Sequence, residues 1–574
     1  MTLHIVRRPL SDGGALPDSL HPKLRQIYAS RGITQIQELE RGAKGLLHYQ
    51  ALQGTNAAVE LLANAMAAGQ RIIVVGDFDA DGATSTSLMM LALTMLGSRN
   101  HQYLVPNRFD FGYGLSPQIV DVAAEQGADL IVTVDNGISC FAGVDRAKEL
   151  GLKVIVTDHH LAAERLPNAD AIVNPNQPSC SFPSKNLAGV GVAFYLLLAL
   201  RAYLQSRGWF EQQGLPLPNL ASLLDIVALG TVADVVPLDA NNRILVHQGL
   251  QRIRSGQCRP GIQAMLEVAG RDKGRISASD LGFVLGPRLN AAGRLDDMVM
   301  GIECLLAEDT GVARRLAVQL DALNRERREI ETSMQAEAIK ALEQLNLGDD
   351  ELPAGLVLYQ ADYHQGVIGI LAGRIKDRYF RPTIAFAHQD DDVIKGSARS
   401  IPGLHIRDLL EEMHRRQPDL IDKFGGHAMA AGLSLPLVNL ERFTQLFHQV
   451  AEEQLAGRAL VGEIETDGSL ERSDFSLEFA QLLKDSGPWG QSFPEPSFDD
   501  EFELLEQRIV GERHLKMMVK HPSGVLVDAI AFNVDTAIWP NRQARNIKLA
   551  YKLDINEFRG KVSLQLLVDG LEAL

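Results

Sequence analysis

Three aspartates at alternate positions, Asp77, Asp79 and Asp81, follow the apolar run Ile72-Ile73-Val74-Val75 within Gly76-Asp77-Phe78-Asp79-Ala80-Asp81-Gly82. Carboxylates this close repel one another unless a cation holds them. Similar tips recur at Asp135-Asn136-Gly137, after Leu130–Val134, and at Asp158-His159-His160, after Val154–Thr157. A fourth acid, Asp234, lies in the apolar run Gly230–Leu238, read here as a loop, where a buried carboxylate needs a partner or a metal. Carboxylate ligands favour Mg²⁺ or Mn²⁺, and added imidazole tilts the choice toward Mn²⁺. Two such ions about 3.5–4 Å apart can share a carboxylate and clamp a phosphoryl group for in-line attack by activated water. That chemistry needs no nucleophilic Ser or Cys. The chain has no Walker A sequence, which argues against an ATP-driven motor.

These tips converge only if they leave one edge of one sheet, and the pattern between residues 72 and 205 supplies it. Short apolar runs at 72–75, 103–105, 130–134 and 154–156 alternate with helical stretches at 84–96, 116–125 and 143–150. This rhythm predicts a parallel sheet covered on both faces, with ligands at the carboxyl ends of strands about 4.8 Å apart. Ala188–Arg201 is an apolar helix suited to pack on it. The first 70 residues read as helical, and 219–345 as almost wholly helical. In the segment 310–345, Val312, Leu316, Leu320, Leu323, Ile330, Met334, Ile339 and Leu342 mark a narrow apolar stripe among charges, as in an interdomain spacer. Spacing of 3.5 residues is not sustained there, which disfavours a coiled-coil dimer. A second α/β region begins at Gly355. After about 460, β-branched and alternating runs at 508–510, 516–519, 526–532, 547–553 and 562–567 predict a small barrel.

The formal net charge is −16, so nucleic acid can be held only in a local basic groove. Four cysteines without CxxC spacing exclude a disulfide scaffold and a cysteine zinc site. Arg7-Arg8 is not followed by an apolar run, and Leu187–Leu200 is too short to cross a bilayer of about 30 Å. The expectation is a soluble, cytoplasmic protein without a signal peptide.

Asp77-x-Asp79-x-Asp81-Gly82, Asp135-Asn136-Gly137, Asp158-His159-His160 and Ala233-Asp234 resemble the four motifs of DHH-type phosphoesterases. The segment Gly286–Leu295 (GPRLNAAGRL) narrows the resemblance to the RecJ family, single-strand-specific 5′→3′ exonucleases. Gly396–Ser400 and Gly425–Gly432 resemble that family's accessory DHHA1 domain. The likeness runs from about residue 35 to the end. One departure is Ser492-Phe493 in the loop 487–496, where relatives often carry Gly-Asn. Some longer relatives carry a further C-terminal domain, whereas this sequence stops at Leu574.

The resemblance implies a multidomain α/β architecture. It comprises an N-terminal helical segment (1–70), a parallel-sheet DHH domain (71–215) and a helical connector (216–350). An α/β DHHA1 domain (351–455) and an OB-like β-barrel (456–574) follow, with DHH and DHHA1 domains facing each other across a cleft. Asp77, Asp79, Asp81, Asp135, His159 and Asp234 are the implied ligands of two Mn²⁺ or Mg²⁺ ions, with Asp135 bridging. Asp79, Asp81 and His160 form the implied catalytic set, His160 touching the scissile phosphate, and Asp158 is a ligand or an orienter. Arg288, Asn290 and Arg294 are implied phosphate contacts, Ser397, Arg399 and His427 fit a phosphate near the 5′ end, and Arg108 is a weaker candidate. Within the barrel, Arg508, Arg513, His514, Lys516, Lys520 and His521 form the densest basic run, from which Arg513 and Lys516 are expected to hold the strand, with Phe532, Tyr551 and Phe558 as stacking candidates. The implied activity releases 5′-mononucleotides in DNA repair and recombination. The enzyme is expected to be a monomer partnered by a single-strand-binding protein and a helicase. Alternatives are a phosphodiesterase for short oligonucleotides or cyclic dinucleotides, and a catalytically dead DNA-binding scaffold.

Overall fold

The computed structural model describes residues 4–9, 16–107, 114–344, 352–390, 392–458, 460–558 and 560–574. Arg108 lies outside them, as does the side chain of Phe558. The chain divides into two compact units. One holds 7–324 and 466–569 with the last two residues, and the other holds 325–465 with short terminal pieces.

The first described element is not a helix. It is strand β1 (His4–Arg7), ahead of helices Pro22–Ser30 and Thr55–Ala67. Four β residues carry too little pattern to be told from a loop, and β1 is a strand because it pairs with a distant one, β12 (Glu463–Thr466).

The larger unit is built on a five-stranded, all-parallel sheet of β2 (Ile72–Val75), β3 (His101–Leu104), β4 (Leu130–Val134), β5 (Lys153–Thr157) and β6 (Ala171–Val173), in the order β3-β2-β4-β5-β6. The middle strands β2 and β4 are buried along their whole length, as helices on both faces require. The strand order reverses between β2 and β4, which creates a crevice at their carboxyl ends. Strand β6 is a three-residue addition absent from the sequence reading.

Gly189–Ser206 is 18 residues long, with hydropathy high enough for a membrane span by length and composition. It continues through Arg201 beyond the apolar run read from sequence. Two-thirds of it is buried, so it serves as a core helix beside the sheet. Asp234 is not in a loop: it ends the helix Leu224–Ala233. Gly286–Leu295 is likewise a helix, entered through a π-helical turn at Leu281–Leu285.

The 35-residue helix Thr310–Gln344 runs as expected, and the division between units falls within it. Its buried face is offset from the stripe of large apolar residues. The buried set is Ala313, Ala317, Leu320, Asn324, Arg327, Glu331, Met334, Ala338 and Leu342, in steps of three and four. Small alanines permit close approach, and Arg327 and Glu331 neutralise each other at 2.9 Å.

In the larger unit the barrel closes in the order β13-β14-β15-β17-β16, from β13 (Phe498–Val510), β14 (His514–Lys520), β15 (Leu526–Ala531), β16 (Asn546–Phe558) and β17 (Lys561–Ala573). Closure removes the free edges of a small sheet. The loop before it folds back on the helical region. Leu238 donates to Gln491 O at 2.8 Å, Phe493 stacks on Trp489 with centroids 5.0 Å apart, and Arg243 covers Phe493 at 4.3 Å. Phe493 is therefore a buried structural wedge.

The smaller unit carries a mixed sheet in the order β10-β11-β9-β8-β7. Its strands are β7 (Leu356–Tyr359), β8 (Thr383–Asp390), β9 (Val393–Arg399), β10 (Lys423–Gly426) and β11 (Ala430–Pro436). The glycine-rich segment 425–432 is a hairpin of β10 and β11.

Candidate metal centre and nucleic-acid contacts

Four chain segments meet at the crevice beyond β2, β4 and β5. Asp79 caps the helix Ala80–Met95, its Oδ1 accepting from Gly82 N at 2.9 Å. Gly82 has to be glycine here, since a Cβ would lie 2.4 Å from the Asp77 carbonyl oxygen. Asp135 follows β4 at φ 61°, a left-handed conformation that a non-glycine residue adopts at a cost. Asn136 then ties two strand ends together, donating to Val75 O at 3.1 Å and Val134 O at 2.9 Å.

His159 Nε2 lies 3.2 Å from Asp135 Oδ1, 3.4 Å from Asp234 Oδ2 and 4.0 Å from Asp81 Oδ2. Both His159 Nε2 and Asp234 Oδ2 are buried without a hydrogen-bond partner among the described residues. Burial, then the neighbouring His160, lowers the His159 pKa to about 4, so its imidazole is neutral near pH 7. The ring also bonds the Leu187 backbone, which leaves the Nε2 lone pair aimed at the carboxylates. A lone pair facing carboxylates is repulsive unless a cation lies between them.

Burial, followed by the charges of Asp81, Asp79 and other acids, pushes Asp135 well above the usual carboxylate range. Asp234 is raised in the same direction by burial and then Asp81. It also ends a helix, where the backbone dipole disfavours an anion. Three sets of ligand atoms lie within 4.8 Å of one another: Asp77, Asp79 and Asp135; Asp81, His159 and Asp234; Asp135, His159 and His160. Asp135 and His159 each belong to two sets, a pattern that suits two adjacent ions.

Asp81 differs from its neighbours. Its two oxygens accept from Gly189 N at 2.6 Å and Val190 N at 2.9 Å, at the start of the core helix. Burial and then Asp79 raise its pKa to about 7 against those two bonds. The helix approaches this closely because residue 189 is glycine: a Cβ there would meet the Asp135 Cβ at 2.6 Å. This support was missed from sequence, although Ala188-Gly189-Val190-Gly191 at the head of an apolar helix was the available signal. Asn174 and Asn176 were also missed. They donate to His160 O at 2.9 Å and His159 O at 2.6 Å, and the Asn-Pro-Asn following β6 was their trace.

Asp158 accepts from Ile138 N (2.9 Å), His159 N (2.7 Å), His160 N (3.1 Å) and His160 Nδ1 (2.7 Å). With its lone pairs so engaged, it orients the histidines. Burial opposes charge on His160, but the Asp158 hydrogen bond together with the charges of Asp158, Asp79 and Asp77 outweighs it and pushes the pKa up to about 9. His160 is thus a cation at the partly open side of the centre.

The helix Gly286–Leu295 abuts the Asp77–Asp81 loop, with Gly293 so close that a Cβ would lie 1.8 Å from Phe78 O. Asn290 Oδ1 accepts from Ala80 N at 2.8 Å, so this side chain braces the ligand loop. Arg288 is buried and engaged internally, its guanidinium bonding Asp321 Oδ1 at 2.7 Å and Val284 O at 2.6 Å. That pairing departs from the expected phosphate contact. Arg294 is half-buried on the same helix.

In the smaller unit, Ser397 and Arg399 share one face of β9, two residues apart. Arg399 donates to Ser397 Oγ at 3.0 Å and Ala398 O at 2.9 Å, with no carboxylate at ion-pair distance among the described residues. Both side chains border the first turn of the helix Ile368–Tyr379, where a Cβ on Gly369 would lie 2.9 Å from each. Gly432 pairs with Ser397 across β11 and leaves open space above its backbone. A helix N-terminus, a hydroxyl and an uncompensated guanidinium suit an oxyanion. His427 is exposed in the turn between β10 and β11.

Half of the barrel's basic run faces a carboxylate. Lys516 faces Asp528 at 3.3 Å, Lys520 faces Glu503 at 3.1 Å, and His521 is buried 3.4 Å from Asp500. Tyr551 is fully buried and donates to Asp500, so it is core. Arg513 and Phe532 remain exposed, with His514 edge-on to the Phe532 ring at 5.1 Å.

A parallel sheet with an acid and histidine cluster at its switch point, joined to a second α/β domain and a barrel, defines a DHH–DHHA1 phosphoesterase. Family models agree: residues 71–231 match the DHH family N-terminal domain, 353–453 the DHHA1 domain and 466–570 the RecJ OB domain. The chain belongs to the RecJ family. It is 59% identical over 570 residues to the single-stranded-DNA-specific exonuclease RecJ of Escherichia coli, covering 99% of each chain. It also resembles the crystal structure of RecJ from Thermus thermophilus in complex with Mn²⁺, with TM-score 0.78 and 30% identity over 97% of this chain and 76% of that one. The Mg²⁺ complex of the same protein gives TM-score 0.73 at 28% identity, over 97% and 75% of the two chains.

Proposed function

We propose that this chain is a single-stranded-DNA-specific exonuclease that hydrolyses from the 5′ end and releases 5′-mononucleotides, using two Mn²⁺ or Mg²⁺ ions. The observation that carries this reading is the His159 Nε2 lone pair, set 3.2 and 3.4 Å from two buried carboxylates. Asp77, Asp79, Asp135, His159 and Asp234 would hold the ions, with Asp81 anchored on the core helix at the edge of the same set. When bound, the ions supply Lewis-acid polarisation of the phosphodiester and of the attacking water.

The protein's own groups do the rest. Asp158 fixes His160 as a cation directed at the scissile phosphate. Asn290 keeps the aspartate loop in place, and Ser397, Arg399 and His427 take the 5′-terminal phosphate. Arg513 and Phe532 grip the remaining strand, 3′ of the cut, on the barrel, while Lys516, paired with Asp528, contributes less. The domain division at 1–70, 71–215, 216–350, 351–455 and 456–574 follows the same assignment of tasks. In this reading the enzyme acts as a cytoplasmic monomer in DNA repair and recombination, on strands opened by a helicase and coated by a single-strand-binding protein.

A 5′-labelled single strand incubated with Mn²⁺ tests the proposal. Labelled mononucleotide should be the first product, and a blunt duplex should resist. First release of a 3′ label, or equal attack on duplex, would overturn it.

A further inference from the structure

A cavity of about 530 Å³ lies beside the metal centre, wholly within the larger unit, and Val232 and Val235, on either side of Asp234, line it. Two of its lining residues sit on unusual backbone. Val235 is β-branched yet adopts φ 61°, and 62% of it is exposed. Phe283 is 76% exposed on the π-helical turn. Such conformations persist where function requires them, and neither side chain recovers the cost by packing into the core.

The cavity also carries an excess of positive charge, with Arg41, Arg254, Lys484 and Lys552 against Asp485 and Glu495. Arg41 donates to Asp485 O, and Arg254 donates to Ile276 O at 2.9 and 2.7 Å. Neither has a carboxylate at ion-pair distance among the described residues. Beside them His247 is held neutral near pH 7, its pKa lowered to about 4 by burial and then by Arg41 and Arg254.

An exposed aromatic ring and two guanidiniums lining one cavity match the two sides of a nucleotide, an apolar base and an anionic phosphodiester. The lining continues through Trp489 to Lys552 on strand β16, so the cavity extends from Val232 and Val235 to the barrel. We infer that it holds the unstacked nucleotides immediately 3′ of the scissile phosphate, with Phe283 as the base-stacking platform and Arg41 and Arg254 on the phosphodiester. This rests on the proposed function, because a strand consumed from its 5′ end continues only on the 3′ side.

The test measures KM for a 5′-phosphorylated single strand, intact or with abasic residues at its second to fourth positions. For the wild-type enzyme, abasic substitution should raise KM by about ten-fold or more. Phe283→Ala should raise KM on the intact strand by a similar factor, with little further loss on the abasic strand, and Phe283→Trp should restore discrimination. Since Phe283 is exposed, the melting temperature and Mn²⁺ affinity of Phe283→Ala should match wild type. An unchanged KM on the intact strand, or an abasic penalty in Phe283→Ala equal to that of wild type, overturns the inference and assigns the cavity another occupant. Failure of the wild-type enzyme to release 5′ nucleotides would instead overturn the function on which it rests.

Discussion

The metal centre and the barrel both concentrate charge, but they treat it in opposite ways. At the end of the parallel sheet, Asp135 is buried against half-buried Asp234 and His159, with buried electron pairs facing inward. On the barrel, Lys516 and Lys520 are matched by Asp528 and Glu503 near solvent. Buried charge left uncompensated is costly and marks a place built for a ligand. Exposed, paired charge costs little and contributes little. The density of charged residues in the sequence is therefore a poorer guide to function than how completely each is neutralised in the fold.

The sharpest way to break this comparison is Asp135→Asn, which keeps the shape and tolerates the left-handed backbone. Turnover of single strands should fall at least about a thousand-fold, on the order of the loss of a charge acting directly at the transition state. The metal-free variant should melt no lower than wild type, because a repelling carboxylate has gone. A large fall in melting temperature with turnover retained would make Asp135 a structural residue.

Next in size is Arg399→Ala, at the uncompensated guanidinium of the smaller unit. Losing a charge-assisted contact to phosphate should raise KM roughly 10- to 100-fold for a 5′-phosphorylated strand. A strand with a 5′-hydroxyl should be affected much less. Equal losses on both substrates would remove the oxyanion from this niche.

A thermal series on the metal-free protein probes the same buried charge. The pKa of Asp81 is raised to about 7, and those of Asp135 and Asp234 are raised as well. Each of these groups keeps its proton in the folded protein at pH values where the unfolded chain has lost it. Their contribution to stability is thus complete below the ordinary carboxylate pKa of about 4 and is lost as pH rises above it, for Asp81 through about 7. Melting temperature should fall between pH 5 and 8, and the increment given by Mn²⁺ should grow over the same range. A Mn²⁺ increment independent of pH would contradict the cluster's role as a cation site.

The smallest effect belongs to the barrel. Lys516→Ala should change affinity for a long strand by less than about three-fold, since Asp528 already screens the ammonium. Arg513→Ala should lower the log–log salt slope by about one unit or slightly less. A larger effect from Lys516 than from Arg513 would reverse the contrast between paired and unpaired charge.

Much of this molecule can be read along the chain. The four-residue run before Asp77, the five-residue run before Asp135 and the Asp-His-His after Thr157 place their donors at strand ends from local pattern alone. The parallel sheet, the 35-residue helix and the five-stranded barrel are legible for the same reason. Side-chain alternation and helical periodicity are set by neighbours a few residues apart.

The partner of each side chain is decided at longer range. Asp81 meets Gly189 across 108 residues, Asn290 meets Ala80 across 210, and Arg288 turns to Asp321 across 33. An arginine or asparagine has the same donors whether they face a phosphate or a neighbouring helix. Residue type and local pattern are enough to say which groups can bind a cation or an anion and which strand ends present them. Which of those groups are already satisfied follows from folding, because hydrogen bonds and ion pairs depend on distances between segments far apart in the chain.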